Sequence, residues 1–136
     1  DFFGWPYTYY GDNPQPKLDS RWQDEHPTAR APDYAVGAHS ASLDIEFSYD
    51  SALPDQWRNG MFVSQHGSWN RQPRAGYRVI YIPFKDGVPN GAPEEIVGEF
   101  LDADGHARGR PAGLAIDGTG ALLIADDVGN VIWRVK

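Results

Sequence analysis

GYRVIYIPFKDGVPNGAPEEIVGEFL, residues 76–101, sets the architecture of the chain. Tyr77 to Phe84 is a run of β-branched and aromatic residues, which reads as a strand. Asp86-Gly87 is a hairpin-type turn signal, and Glu94 to Leu101 resumes as a second strand. Upstream, Leu43, Ile45 and Phe47 alternate with Asp44 and Glu46, the period of a half-buried strand, and Gly60 to Gln65 reads as another. Four strands in succession predict one antiparallel meander. The cycle then restarts with Ala112–Asp117, a turn at Asp117-Gly118-Thr119-Gly120, Ala121–Ala125 and Val131–Val135, and this time only three strands appear.

Gly 15 and Pro 11 are high for 136 residues, and no long run shows the 3.6-residue apolar period of a helix. The chain is therefore expected to be all-β. Residues 1–42 carry Pro6, Pro14, Pro16, Pro27 and Pro32, which stop any helix or central strand. They read as a long ordered loop held by Trp5, Tyr7, Tyr9, Tyr10 and Trp22. Residues 43–101 then form one blade and 102–136 an incomplete last blade, lacking the outer strand that another segment would supply. Seven short strands also suit a small β-sandwich, and strand count alone leaves both folds open.

The chain is acidic, with a net charge of −7 and no clustered basic stripe, which disfavours nucleic acid and anionic membrane surfaces as partners. No stretch approaches the roughly 18 apolar residues of a membrane-spanning helix, and the first residues lack the pattern of a signal peptide. The absence of cysteine excludes thiolate metal sites, thiol nucleophiles and disulfides.

Two clusters suggest a site. FVSQHGSWNR, residues 62–71, runs from a strand into polar and ring-bearing side chains, with His66 and Arg71 the chemically active members. A histidine in this setting is more often structural, and Gly-Ser and Trp-Asn are ordinary turn chemistry. Arg108-Gly109-Arg110-Pro111 places two guanidinium groups two residues apart, on one side if the chain is extended, and paired forks fit a carboxylate or phosphate. Asp102-Ala103-Asp104-Gly105 begins like a calcium loop but lacks the later ligands, so it reads as a turn. Asp126-Asp127, closing a strand, is expected to cap a loop, with cation binding as the alternative.

FGWPYTYYG (3–11), GAHSASLDIEF (37–47), RNGMFVSQHGSWNR (58–71), GYRVIYIPFKDG (76–87), GRPAGLAID (109–117) and ALLIADDVGNVIWRV (121–135) together resemble the C-terminal part of soluble sugar dehydrogenases that use pyrroloquinoline quinone, in the branch related to sorbosone dehydrogenase. The resemblance covers essentially the whole chain. It implies a partial six-bladed β-propeller, about two blades of four-stranded antiparallel meanders. It implies a quinone held with calcium at one end of the channel, and a sugar, polyol or aldehyde oxidised by hydride transfer.

Arg108 and Arg110 match an arginine pair that contacts the cofactor in that family, whose three carboxylates suit guanidinium forks. His66 is assigned to the wall of the cofactor or substrate pocket. Arg71 stands in for a lysine found in this region of the glucose-oxidising branch, and His39, in GAHSA, is a further pocket candidate. The catalytic base and the calcium ligands are expected outside this segment, which would be inactive alone. The remaining blades, or copies of this chain, are the expected partners, and a periplasmic or secreted location follows from the resemblance. A non-catalytic, self-assembling propeller module is the alternative.

Overall fold

The computed structural model describes residues 1–17 and 26–136. They divide into two units, Asp1–Ala35 and Val36–Lys136.

In the first unit, β1 (Thr8–Tyr9) and β2 (Asn13–Pro14) form a short antiparallel ribbon. Its turn places Tyr10 and Gly11 at positive φ. Asp12 accepts the amide N–H of Ala29 at 2.9 Å, and Tyr7 stacks on His26 with ring centroids 5.3 Å apart. Among the described residues, the aromatic expected to hold this region that does so is Tyr7. Trp5 is 76% exposed, and Tyr9 and Tyr10 are also exposed. Backbone hydrogen bonds such as Arg30 N–H to Phe2 C=O hold the segment instead. Trp22 lies outside the described residues.

In the second unit, β3 (Ser42–Phe47), β4 (Gly60–Gln65), β5 (Arg78–Lys85) and β7 (Glu94–Val97) pair antiparallel in sequence order, and β6 (Val88–Pro89) closes a hairpin on β5. Asp86 and Gly87 sit at φ 54° and 81°, the left-handed pair that this hairpin turn demands. The second sheet is β8 (Pro111–Ile116), β9 (Leu122–Asp126) and β10 (Val131–Val135), with β9 in the middle. Among the described residues the far edge of β10 has no pairing strand.

Several strand boundaries shift by one residue from expectation, and β7 ends well before Leu101. Tyr77 and Glu99 adopt φ 60° and 62°, outside the extended region, so β5 starts at Arg78 and β7 ends at Val97. The 98–101 segment instead turns toward 107–109, where Arg108 N–H bonds to Phe100 C=O at 2.8 Å.

The register puts Phe62 beside Tyr81 and Ser64 beside Val79, and on the other sheet Leu114 beside Ile124 and Ile116 beside Leu122. These apolar faces meet: Leu53, Phe62, Val79, Tyr81, Leu122 and Ile124 form one buried cluster. Each fully buried side chain of this size contributes roughly 1.5–3 kcal/mol. Val63, Ile80 and Ile82, on the opposite face of the first sheet, are buried as well.

The alternation in β3 is real, but its apolar side is the open one. Ile45 is 53% exposed, with Leu43 and Phe47 similarly open, whereas Asp44 and Glu46 are partly covered. Asp44 is turned toward β8, where its Oδ2 accepts the Leu114 N–H at 2.8 Å. That amide lies beside an irregularity in the β8–β9 ladder between Pro111 and Leu114, and a carboxylate from the other sheet satisfies it.

Candidate functional site

The end of β4 is anchored before the chain leaves the sheet. Gln65 is fully buried, its Nε2 donates to Val36 C=O at 3.1 Å, and its Oε1 accepts from Arg78 Nε at 2.9 Å. The next two amides, of His66 and Gly67, donate to Ala41 C=O and Ser40 C=O, both at 2.9 Å. Gly67 has φ 97°, and a Cβ there would run into the Tyr77 ring. Only glycine lets the chain turn over that ring.

The loop folds back on itself. Ser68 N–H bonds Ala75 C=O at 2.8 Å, Ala75 N–H bonds Ser68 Oγ at 3.0 Å, and the buried Tyr77 hydroxyl donates to Ser68 C=O at 2.5 Å. Trp69, at the tip of this braced loop, is 84% exposed.

From the second sheet, Arg110 reaches across to the same loop. Its Nε donates to His66 C=O at 2.9 Å and its NH2 to Gly67 C=O at 2.6 Å, while its amide donates to Asp126 Oδ1 at 2.8 Å. Arg108 and Arg110 therefore do not act as a matched pair of forks. β8 starts only at Pro111, and Arg108 lies in a bend before it. Arg110 spends its fork on two backbone carbonyls. Arg108 is exposed, and its guanidinium makes no hydrogen bond to the described residues.

Arg108 lines a cleft of about 310 Å³ with Glu99, Phe100 and Trp133. Phe100 and Trp133 meet edge to face with centroids 6.4 Å apart. Arg71 is exposed and donates from NH1 to Ala38 C=O at 2.8 Å. His39 is exposed at φ 61°.

Asp126 and Asp127 divide the expected capping role. Asp126 is only 3% exposed; its Oδ1 takes the amides of Arg110, Val128 and Gly129, and its Oδ2 takes the Trp133 indole N–H at 3.1 Å. Burial pushes its carboxyl upward, but the Gly129 and Arg110 amides and the Trp133 indole outweigh it, and the net result lies below the usual carboxylate range. Asp127 caps nothing of this turn. Its two oxygens stand 2.9 and 3.1 Å from His66 Nε2. No spacing rule links residues 61 positions apart that follow strands of different sheets, so sequence alone misses this partner.

Asp102 holds the turn read from the sequence, its Oδ1 taking the amides of Asp104 and His106 at 2.9 and 2.8 Å. Asp102, Asp104 and His106 are also near enough to one another to share a cation, on an open surface.

Residues 8–136 match the TrAA12-like family model. The chain belongs to the TrAA12-like family. Among curated proteins it is 35% identical over 104 residues to an uncharacterised protein of Borreliella burgdorferi, covering 75% of this chain and 27% of that protein. It is 36% identical over 52 residues to a pyrroloquinoline quinone-dependent pyranose dehydrogenase of Coprinopsis cinerea, covering 38% of this chain and 6% of the relative. Among solved structures, the holo form of the pyranose dehydrogenase PQQ domain from Coprinopsis cinerea matches with TM-score 0.59 and 25% identity over 79% of this chain and 29% of that one. A Trichoderma reesei structure of carbohydrate-active enzyme family AA12 matches with TM-score 0.66 and 22% identity over 90% and 31%, a likeness of fold. The TrAA12-like chain thus spans under a third of each of these structures. The likeness decides between the two folds left open by strand count: the sheets are part of a β-propeller.

Proposed function

We propose that this chain is part of a longer quinone-dependent oxidoreductase that oxidises a sugar or a related polyol or aldehyde, with pyrroloquinoline quinone as hydride acceptor. Family membership and the Coprinopsis cinerea relatives support the sugar-oxidoreductase class. The observation that carries the role of this segment is the open guanidinium of Arg108 beside the Phe100–Trp133 wall. A cation next to aromatic faces suits a planar, anionic, aromatic group, because the fork pairs with a carboxylate while the rings cover apolar surface.

Arg108 is the residue of this chain best suited to a quinone carboxylate, with Arg71, His66 and His39 as further wall residues. Arg110 serves by holding the His66 loop in place. When bound, the quinone supplies the two-electron acceptor; the segment supplies charge and shape. The catalytic base and the calcium ligands belong to parts of the protein outside these residues, as do the remaining blades. Among the described residues no helix is long and apolar enough to cross a membrane, and a secreted or periplasmic setting is part of this reading. The narrower likeness to the sorbosone dehydrogenase branch rests on the motif series alone.

The test is quinone titration of the full-length protein by absorbance. Arg108→Ala is expected to weaken binding about tenfold or more, the loss of one charge-assisted hydrogen bond of roughly 1.5–3 kcal/mol, with no change in melting temperature. Unchanged affinity would overturn the assignment of Arg108. A full-length protein that binds no quinone would leave a non-catalytic propeller module as the correct reading.

A further inference from the structure

His66 is fixed at both ends of its backbone. Its amide is held by Ala41 C=O and its carbonyl by Arg110 Nε. The remaining freedom is that of the ring, and Asp127 takes it up: both carboxylate oxygens lie within 3.1 Å of Nε2. Asp127 is itself mounted on a stiff turn, since the preceding carboxylate of Asp126 collects the amides of Val128 and Gly129. The His66 side chain is 18% exposed, and its Nδ1 has no hydrogen bond to the described residues.

We propose that Asp127 is a positioning residue that holds His66 across the two sheets as its Nε2–H tautomer, leaving Nδ1 as a hydrogen-bond acceptor for a hydroxyl of the ligand. The proposal rests on the oxidoreductase reading above for the identity of that ligand. A carboxylate only accepts, so the proton on Nε2 is fixed by its partner; in the neutral ring Nδ1 then carries the lone pair. A polyhydroxylic compound supplies the O–H donors that such an acceptor selects. The ring nitrogen is thus assigned its role by a residue on the β9–β10 turn of the other sheet.

The experiment uses the full-length protein labelled with 15N-histidine, with ring nitrogens read through two-bond proton–nitrogen correlations and His66 assigned by His66→Gln. The wild type should show His66 with Nε2 protonated and Nδ1 bare. Asp127→Ala should convert it to a mixture of tautomers, and Asp127→Glu should restore much of the original pattern. An unchanged tautomer in Asp127→Ala overturns the positioning role. In turnover, Asp127→Ala and His66→Gln should each raise the KM for sugar about tenfold, the scale of one hydrogen bond to a charged or fixed partner, with kcat changed less. The double variant should be no worse than His66→Gln alone. Additive losses, or a changed tautomer with unchanged KM, would overturn the ligand-facing part. The tautomer is read without ligand, so it decides the role of Asp127 even if the wild type oxidises no sugar, an outcome that would count only against the oxidoreductase reading.

Discussion

The guanidinium carbon of Arg110 stands 5.0 Å over the ring of Tyr77 while its nitrogens bond the carbonyls of His66 and Gly67. One side chain from the second sheet therefore clamps the loop of the first. Two hydrogen bonds from a cation and a ring contact together predict that Arg110→Ala destabilises the full-length protein by about 2–4 kcal/mol. Arg110→Lys should recover less than half, because an ammonium on a flexible stem cannot reproduce the planar fork. Urea unfolding measures both; a loss within 0.5 kcal/mol, about the level of an ordinary surface substitution, would contradict the clamp.

Gly67 and Gly87 offer a controlled comparison. Both have positive φ, but a Cβ on Gly87 meets nothing within 4 Å, whereas one on Gly67 meets the Tyr77 ring. Gly87→Ala should cost about 1 kcal/mol of backbone strain. Gly67→Ala adds displacement of a buried ring and should cost at least twice as much. Equal melting temperatures for the two variants would be inconsistent with this packing.

Asp117 and Asp126 are expected to contribute to stability in acid. The Thr119 hydroxyl, the Arg134 guanidinium and the amides of Ala121 and Thr119 hold the Asp117 carboxyl far below the usual carboxylate range. Both aspartates are depressed relative to an unfolded value near 3.9. Their contributions are thus complete above about pH 4 and are lost as pH falls through the folded-state values. Asp117→Asn should flatten the fall in melting temperature between about pH 4 and pH 2; an acid limb as steep as that of the wild type would exclude the carboxylate as a cause.

Leu43, Ile45 and Phe47 form an open apolar stripe on β3. In the isolated 136-residue chain, this stripe should drive self-association. Ile45→Lys with Phe47→Glu is expected to shift the species seen by light scattering toward monomer. A wild-type chain that is already monodisperse and monomeric would count against the stripe as a sticky surface.

Much of the fold is legible in the sequence because its signals are local. Asp86-Gly87 has the two positive-φ positions that its dipeptide announces, and the count of three strands after Ala112 holds. What is not legible depends on the other sheet. The period of Leu43, Ile45 and Phe47 shows that they share a face but not which face is covered, and it is the acidic side, through Asp44, that meets β8. Likewise RGRP announces two cations, yet their different surroundings follow from where β8 begins and from the carbonyls that Gly67 and His66 present. Asp127 is invisible until the two sheets are brought together.

Asp44 also bears on how such sheets can be ordered. Its carboxylate takes the Leu114 amide, and beside it the Ser64 hydroxyl donates to Ala112 C=O. The first sheet supplies a side-chain acceptor and a side-chain donor; the second supplies backbone groups of the opposite kind. This is a keyed joint: a propeller rebuilt by shuffling or duplicating blades would need an Asp and a Ser at the same places on whichever sheet precedes β8. Without them, a half-buried amide and a half-buried carbonyl would be left unmatched at the seam.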